Sequence, residues 1–273
     1  MAIVNGTNGN DILPSNGIGL PGDDTINGFW GDDILIGGDG DDFLDGGFGF
    51  DIINGGKGND TTSYAFFGGP IVANLATGVV AFPGNSSLTD TLISIENLIG
   101  TNRNDSITGN SGANTLNGGA GNDTLIGGNG NDIFVGGAGK DTLKSGSGED
   151  RFVLGEFGSA NWDMITGFSA TEDTIVLANS LDSTLVGAVR PGIKGLAFNG
   201  GNTAGNSLGL AWFFMGAGFN GSSATALSGI YVNTTNGDIF YNPDSTTAGS
   251  FIIANVGARA TRAMTNADFV YGV

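Results

Sequence analysis

A nine-residue period dominates this chain. From Gly19 the sequence reads GLPGDDTIN, GFWGDDILI, GGDGDDFLD, GGFGFDIIN and GGKGNDTTS, and from Gly100 it reads GTNRNDSIT, GNSGANTLN, GGAGNDTLI, GGNGNDIFV, GGAGKDTLK and SGSGEDRFV. A leading GTNGNDILP starts at Gly6. The common pattern is GGxGxDxUx, with U a large apolar residue. Glycine at the first, second and fourth positions lets the backbone enter the positive-φ region of a tight loop, and the last three positions form a short strand whose middle side chain points inward. Leu44, Ile53, Leu116, Leu125, Phe134 and Leu143 are therefore expected in the core. A short unit that cannot bury its apolar face alone must stack on its neighbours, so the period predicts a solenoid.

Two nonamers make one flattened turn, which places loops eighteen residues apart on the same edge. Asp24, Asp42 and Asp60 then share one edge, with Asp33 and Asp51 opposite. In the second run Asp105, Asp123 and Asp141 face Asn114, Asp132 and Asp150. Carboxylates about 4.8 Å apart repel unless a cation lies between them. Calcium takes six to eight oxygens at about 2.3–2.6 Å, a demand that carboxylates and carbonyls of two stacked loops can meet. Neighbouring pairs give three sites in the first run and four in the second, and Asp11 with Asp33 adds an eighth, so seven to eight ions are expected. The neutral amide of Asn114 predicts a weaker site with Asp132.

Composition agrees. Among 273 residues, 52 are Gly, and 27 acidic side chains outweigh 9 basic ones for a formal charge of -18. Eight divalent ions would bring that to about -2. Only 6 Pro exclude collagen, and 39% hydrophobic residues oppose disorder. So acidic a chain repels nucleic acid and anionic membranes. Without Cys there are no disulfides, and without His the commonest zinc and copper ligand is gone. The N-terminus MAIVNGTNGND lacks a signal-peptide pattern, and no apolar run is long enough to span a bilayer, so membrane insertion is not expected.

The nonapeptides resemble the repeats-in-toxin (RTX), hemolysin-type calcium-binding family. That resemblance implies a calcium-binding, right-handed parallel β-roll, an all-β fold, over residues 1–153. A β-rich C-terminal capping and secretion-signal domain is expected over 154–273. Residues 64–99 lack the motif, yet Gly55 and Gly100 are 45 residues apart, five whole nonamers. The insert is read as calcium-free turns of one continuous roll, against the alternative of a loop-out joining two rolls. NWDMITGFSATEDTIVL resembles the capping segment of the family, in which Asp163 and Asp173 either hold an ion or terminate strands. GIYVN and DIFYN around TTNG predict a hairpin. The tail resembles that of short hemolysin-type proteins, except that Asn242, Pro243, Asp244 and Ser245 replace a more acidic turn, which puts an ion at Asp244 in doubt. The resemblance further implies export by type I secretion machinery to the cell exterior.

No enzyme is expected. The repeats begin at Gly6 and leave no room for a preceding catalytic domain, no His or Cys supplies a nucleophile system, and the calcium ladder accounts for the paired carboxylates. Two non-enzymatic readings remain: a self-assembling cell-surface protein such as a filament, sheath or surface layer, and a soluble calcium- or ligand-binding factor. An ice-binding threonine ladder is spoiled by Ile126, Lys144 and Arg151. The loops from Gly28 and Gly46 share an edge and carry Phe29, Trp30, Phe48 and Phe50, a large apolar surface that either the chain's own C-terminal domain folding back or an intermolecular partner is expected to cover.

Overall fold

The computed structural model describes residues 1–14, 19–84, 88–155, 160–178, 213–216, 229–242, 251–261 and 263–271. They divide into two compact units, Met1–Asp132 and Ile133–Val273. In the first unit, each nonapeptide gives one short strand, and alternate strands fall in two parallel sheets. One sheet runs Ile3–Asn5, Thr25–Asn27, Phe43–Asp45, Thr61–Ser63, Asn97–Ile99 and Thr115–Ala120. The other begins Ile12–Leu13, Ile34–Asp39 and Ile52–Lys57. The register steps by the eighteen residues of two nonamers, with Thr25 opposite Phe43 and Ile34 opposite Ile52.

Burial follows the expected alternation. Ile26, Leu35, Leu44, Ile53, Leu116 and Leu125 at the eighth position are 0% exposed, as are Phe134 and Leu143 in the second unit. Each such side chain contributes about 1.5–3 kcal/mol of hydrophobic stabilisation on burial. The loops need glycine where turns touch: Gly38 has φ 126°, and a Cβ there would run into the carbonyl of Leu20 in the preceding turn.

Both sheets pass through the insert, but they do so differently. On the first sheet Asn97 pairs with Thr61 and Thr115, all parallel, so the insert occupies one rung. On the second sheet the order is Ile52–Lys57, Thr89–Ile93, Val79–Ala81, Val72–Asn74, Ser106–Thr108. The middle strand is antiparallel to both neighbours, so the insert is a meander laid down in reverse chain order. Its outer strands remain parallel to the nonapeptide strands they meet. Ile71, Ala73, Val80 and Leu92 carry the core through it.

In the second unit the nonapeptide strands continue to Arg151–Leu154. Arg151–Leu154 pairs in parallel with Thr174–Leu177, which pairs in parallel with Phe269–Tyr271. Asp163–Thr166 lies between Thr142–Lys144 and Phe251–Asn255. The expected hairpin is present as antiparallel Gly229–Asn233 and Asp238–Asn242, with Gly237 at φ 88° in its turn. Asp244 lies outside the described residues. Among these, no helix is long and apolar enough to cross a membrane.

Candidate metal centre

The sixth-position aspartates form two ladders in the first unit. The backbone N–H of each donates to Oδ1 of the aspartate one turn on: Asp24 to Asp42 and Asp42 to Asp60, both at 2.8 Å, on one edge. Asp11 donates to Asp33 at 2.7 Å and Asp33 to Asp51 at 2.9 Å on the other. The rungs recur after the insert as Asp105 to Asp123 at 2.7 Å and Asn114 to Asp132 at 2.9 Å. Within the second unit Asp141 donates to Asp163 at 3.1 Å and Asp150 to Asp173 at 3.0 Å. The expected ligand residues other than Asp11 are buried.

One oxygen of each rung is thereby satisfied. The second separates the residues into two kinds. In Asp24, Asp33, Asp42, Asp51 and Asp60, Oδ2 is buried and has no hydrogen-bond partner. In Asp11, Asp105, Asp150 and Asp173 it accepts an N–H from four residues earlier, from Thr7, Thr101, Gly146 and Ser169 respectively. A buried ionised oxygen without a donor is strongly unfavourable. Burial accordingly pushes the carboxyl of Asp51 up to about 7 and that of Asp60 to about 6, with neighbouring acids adding to the effect. Asp33 and Asp42 are raised for the same first cause.

These atoms fit a hard cation. Oδ2 of Asp33 and the carbonyl of Gly46 both border the point that a Cβ on Gly28 would occupy, and Oδ2 of Asp42 and the carbonyl of Gly55 border the same point at Gly37. A Cβ at either glycine would fill that space, so carboxylate and carbonyl oxygens converge where only glycine leaves room. Such a donor set, oxygen alone with carbonyls mixed in, is the calcium type. Among the described residues no three acidic side chains gather into a metal site by themselves.

Asn114 departs from its neighbours. Its Oδ1 accepts the N–H of Asn110 at 2.8 Å, and its Nδ2 donates to the Glu96 carbonyl at 2.9 Å. A neutral amide thus takes up these groups by hydrogen bonding and needs no ion to offset it. Asp163 opens a strand and Asp173 stands just before one; both join the ladders, and Asp173 is also closed locally by Ser169.

Three features escaped the spacing argument. A counter-running ladder uses the fifth position: Asp23 accepts the N–H of Asp41, Asp41 that of Asn59, and Asp32 that of Phe50, at 2.9, 2.8 and 3.0 Å. Asp90 and Glu96 of the insert take the place of ladder aspartates, accepting the N–H of Asp51 and Asp60, each at 2.9 Å. Both had a visible signal, since DTL at Asp90 and ENL at Glu96 keep an acid two residues before an inward apolar side chain.

The model of the RTX calcium-binding nonapeptide repeat matches residues 16–44, 36–63, 94–125 and 126–159. No curated protein matches the chain. Among solved structures, the AlgE6R2 subunit of the Azotobacter vinelandii mannuronan C5-epimerase is similar at 21% identity and TM-score 0.38, over 64% of this chain and 92% of that one. The AlgE6R3 subunit of the same enzyme gives 24% identity and TM-score 0.37, over 63% and 80%. The extracellular lipase LipA of Serratia marcescens gives 18% identity and TM-score 0.33 over 98% of this chain, which spans 39% of the lipase. The chain thus carries RTX calcium-binding nonapeptide repeats, and its nonapeptides build a parallel roll.

Proposed function

We propose that this chain is a secreted, non-enzymatic structural protein that calcium folds outside the cell and that then assembles with copies of itself at the cell surface. The observation that carries the calcium step is the set of buried Oδ2 atoms of Asp24, Asp33, Asp42, Asp51 and Asp60, which no hydrogen bond satisfies. Calcium binding supplies the positive charge these oxygens need, so binding free energy becomes folding free energy. Export by the type I route follows from the resemblance of the tail, and recovery of the chain from the medium rather than the cells tests it.

Assembly rests on the aromatic edge of the first unit. Phe29, Trp30, Phe48 and Phe50 are 45, 56, 40 and 43% exposed, and Trp30 stacks on Phe48 at 4.7 Å. Phe29 holds φ 77°, a backbone region that bulky residues rarely enter and that costs about 1–3 kcal/mol. Retaining an exposed aromatic there against strain supports a surface in use. Sedimentation velocity in millimolar calcium tests the reading. Wild type should form concentration-dependent oligomers and the Trp30→Ser, Phe48→Ser double variant should not. A wild type that stays monomeric at every concentration leaves a soluble calcium-binding factor in its place.

A further inference from the structure

The two ladders of the first run reach the insert in different chemical states. On the Asp33–Asp51 edge the next rung is Asp90, whose Oδ1 accepts the N–H of Asp51 and whose Oδ2 accepts the Tyr64 hydroxyl at 2.9 Å. Tyr64 and Asp90 are both buried, so this rung closes on a proton donor. On the Asp24–Asp42–Asp60 edge the next rung is Glu96, which meets no such hydroxyl among the described residues. Asp60 is 0% exposed and its Oδ2, like that of Asp51, has no hydrogen-bond partner.

What surrounds that oxygen reproduces the regular rung with residues from outside the nonapeptide. Oδ2 of Asp60 and the carbonyl of Ser94 both border the point that a Cβ on Gly55 would occupy, Ser94 standing where Gly46 and Gly55 stand at the rungs of Asp33 and Asp42. Ser94 holds φ 50°, a left-handed conformation uncommon for a residue with a side chain. Glu96 supplies the carboxylate of the next turn, accepting the N–H of Asp60 at 2.9 Å. Its own backbone is pinned on both sides: its N–H donates to the Asp60 carbonyl at 3.2 Å, and its carbonyl accepts Nδ2 of Asn114 at 2.9 Å.

We propose that this edge carries one calcium ion beyond those the nonapeptides pair among themselves, in a site formed by Oδ2 of Asp60, the carbonyl of Ser94 and the carboxylate of Glu96. The site rests on the calcium reading of the roll and extends it into the insert. It ties the insert to the first run on one edge by an ion, while Tyr64 ties it on the other by a hydrogen bond. Filling of this site then orders the end of the insert, and the insert in turn secures the last ion of the first run.

The test is the number of calcium ions bound per full-length chain, measured by equilibrium dialysis with radioactive calcium, alongside circular dichroism in saturating calcium. Glu96→Ala should keep the β spectrum and bind one ion fewer than wild type. Glu96→Gln retains an acceptor for the Asp60 N–H but loses the charge, and should need about tenfold more calcium to fill that one site. Should Glu96→Ala fail to fold, Glu96→Gln decides. Wild-type stoichiometry and affinity in the Glu96 variants would overturn this site alone, whereas a wild type that binds no calcium would overturn the function proposed for the whole roll.

Discussion

At the scale of single residues, the roll is governed by what stands beside each sixth-position carboxylate. That aspartates eighteen apart would share an edge was legible, because Gly and Asp keep their phase while neighbouring positions vary. Which of them would keep an oxygen without a donor was not. It depends on whether the N–H four residues earlier turns toward the carboxylate, as Thr7 does for Asp11, and no spacing rule encodes that. The glycine that opens each loop is constrained by the same oxygens. A Cβ on Gly37 would collide with Oδ2 of Asp42 and with the carbonyl of Gly55, whereas one on Gly68 would meet nothing within 4 Å. Gly37→Ala should therefore lower stability in calcium by about 2 kcal/mol or more, and Gly68→Ala by no more than about 0.5 kcal/mol. Thermal melts of the two variants in the same buffer check the contrast.

At the scale of elements, the insert shows where periodicity stops being informative. Its segments alternate like strands, and the structure makes strands of them. Their reversed order on one sheet comes from pairing between distant segments, which alternation along the chain does not specify. The insert also supplies Asp90 with a hydrogen bond from the Tyr64 hydroxyl. Burial raises the carboxyl of Asp90 to about 6, opposed by the bonds from Asp51 and Tyr64. Removing the hydroxyl with Tyr64→Phe leaves a buried oxygen without its donor, at a cost of about 1–3 kcal/mol. The melting temperature in saturating calcium should fall accordingly, with the calcium count unchanged; an unaltered melt would show that the Tyr64–Asp90 bond does not hold the insert.

At the scale of the whole molecule, the charge of -18 and the buried carboxylates describe one condition. A chain this rich in glycine loses much conformational entropy on folding, and its short strands bring acids together as they stack. The apolar eighth positions favour the roll, and the buried carboxylates oppose it. The all-β roll was legible because its unit is short and repeated; the C-terminal pairing of Phe269–Tyr271 with Thr174–Leu177 was not, since no repeat links those segments. The central claim is that calcium completes this fold, and far-ultraviolet circular dichroism with thermal melting tests it most directly, at neutral pH, in millimolar calcium and in excess EGTA. The account predicts a β spectrum with a cooperative melt in calcium and loss of most of that signal in EGTA, restored when calcium is returned. A full native spectrum and an unchanged melting temperature in EGTA would contradict it.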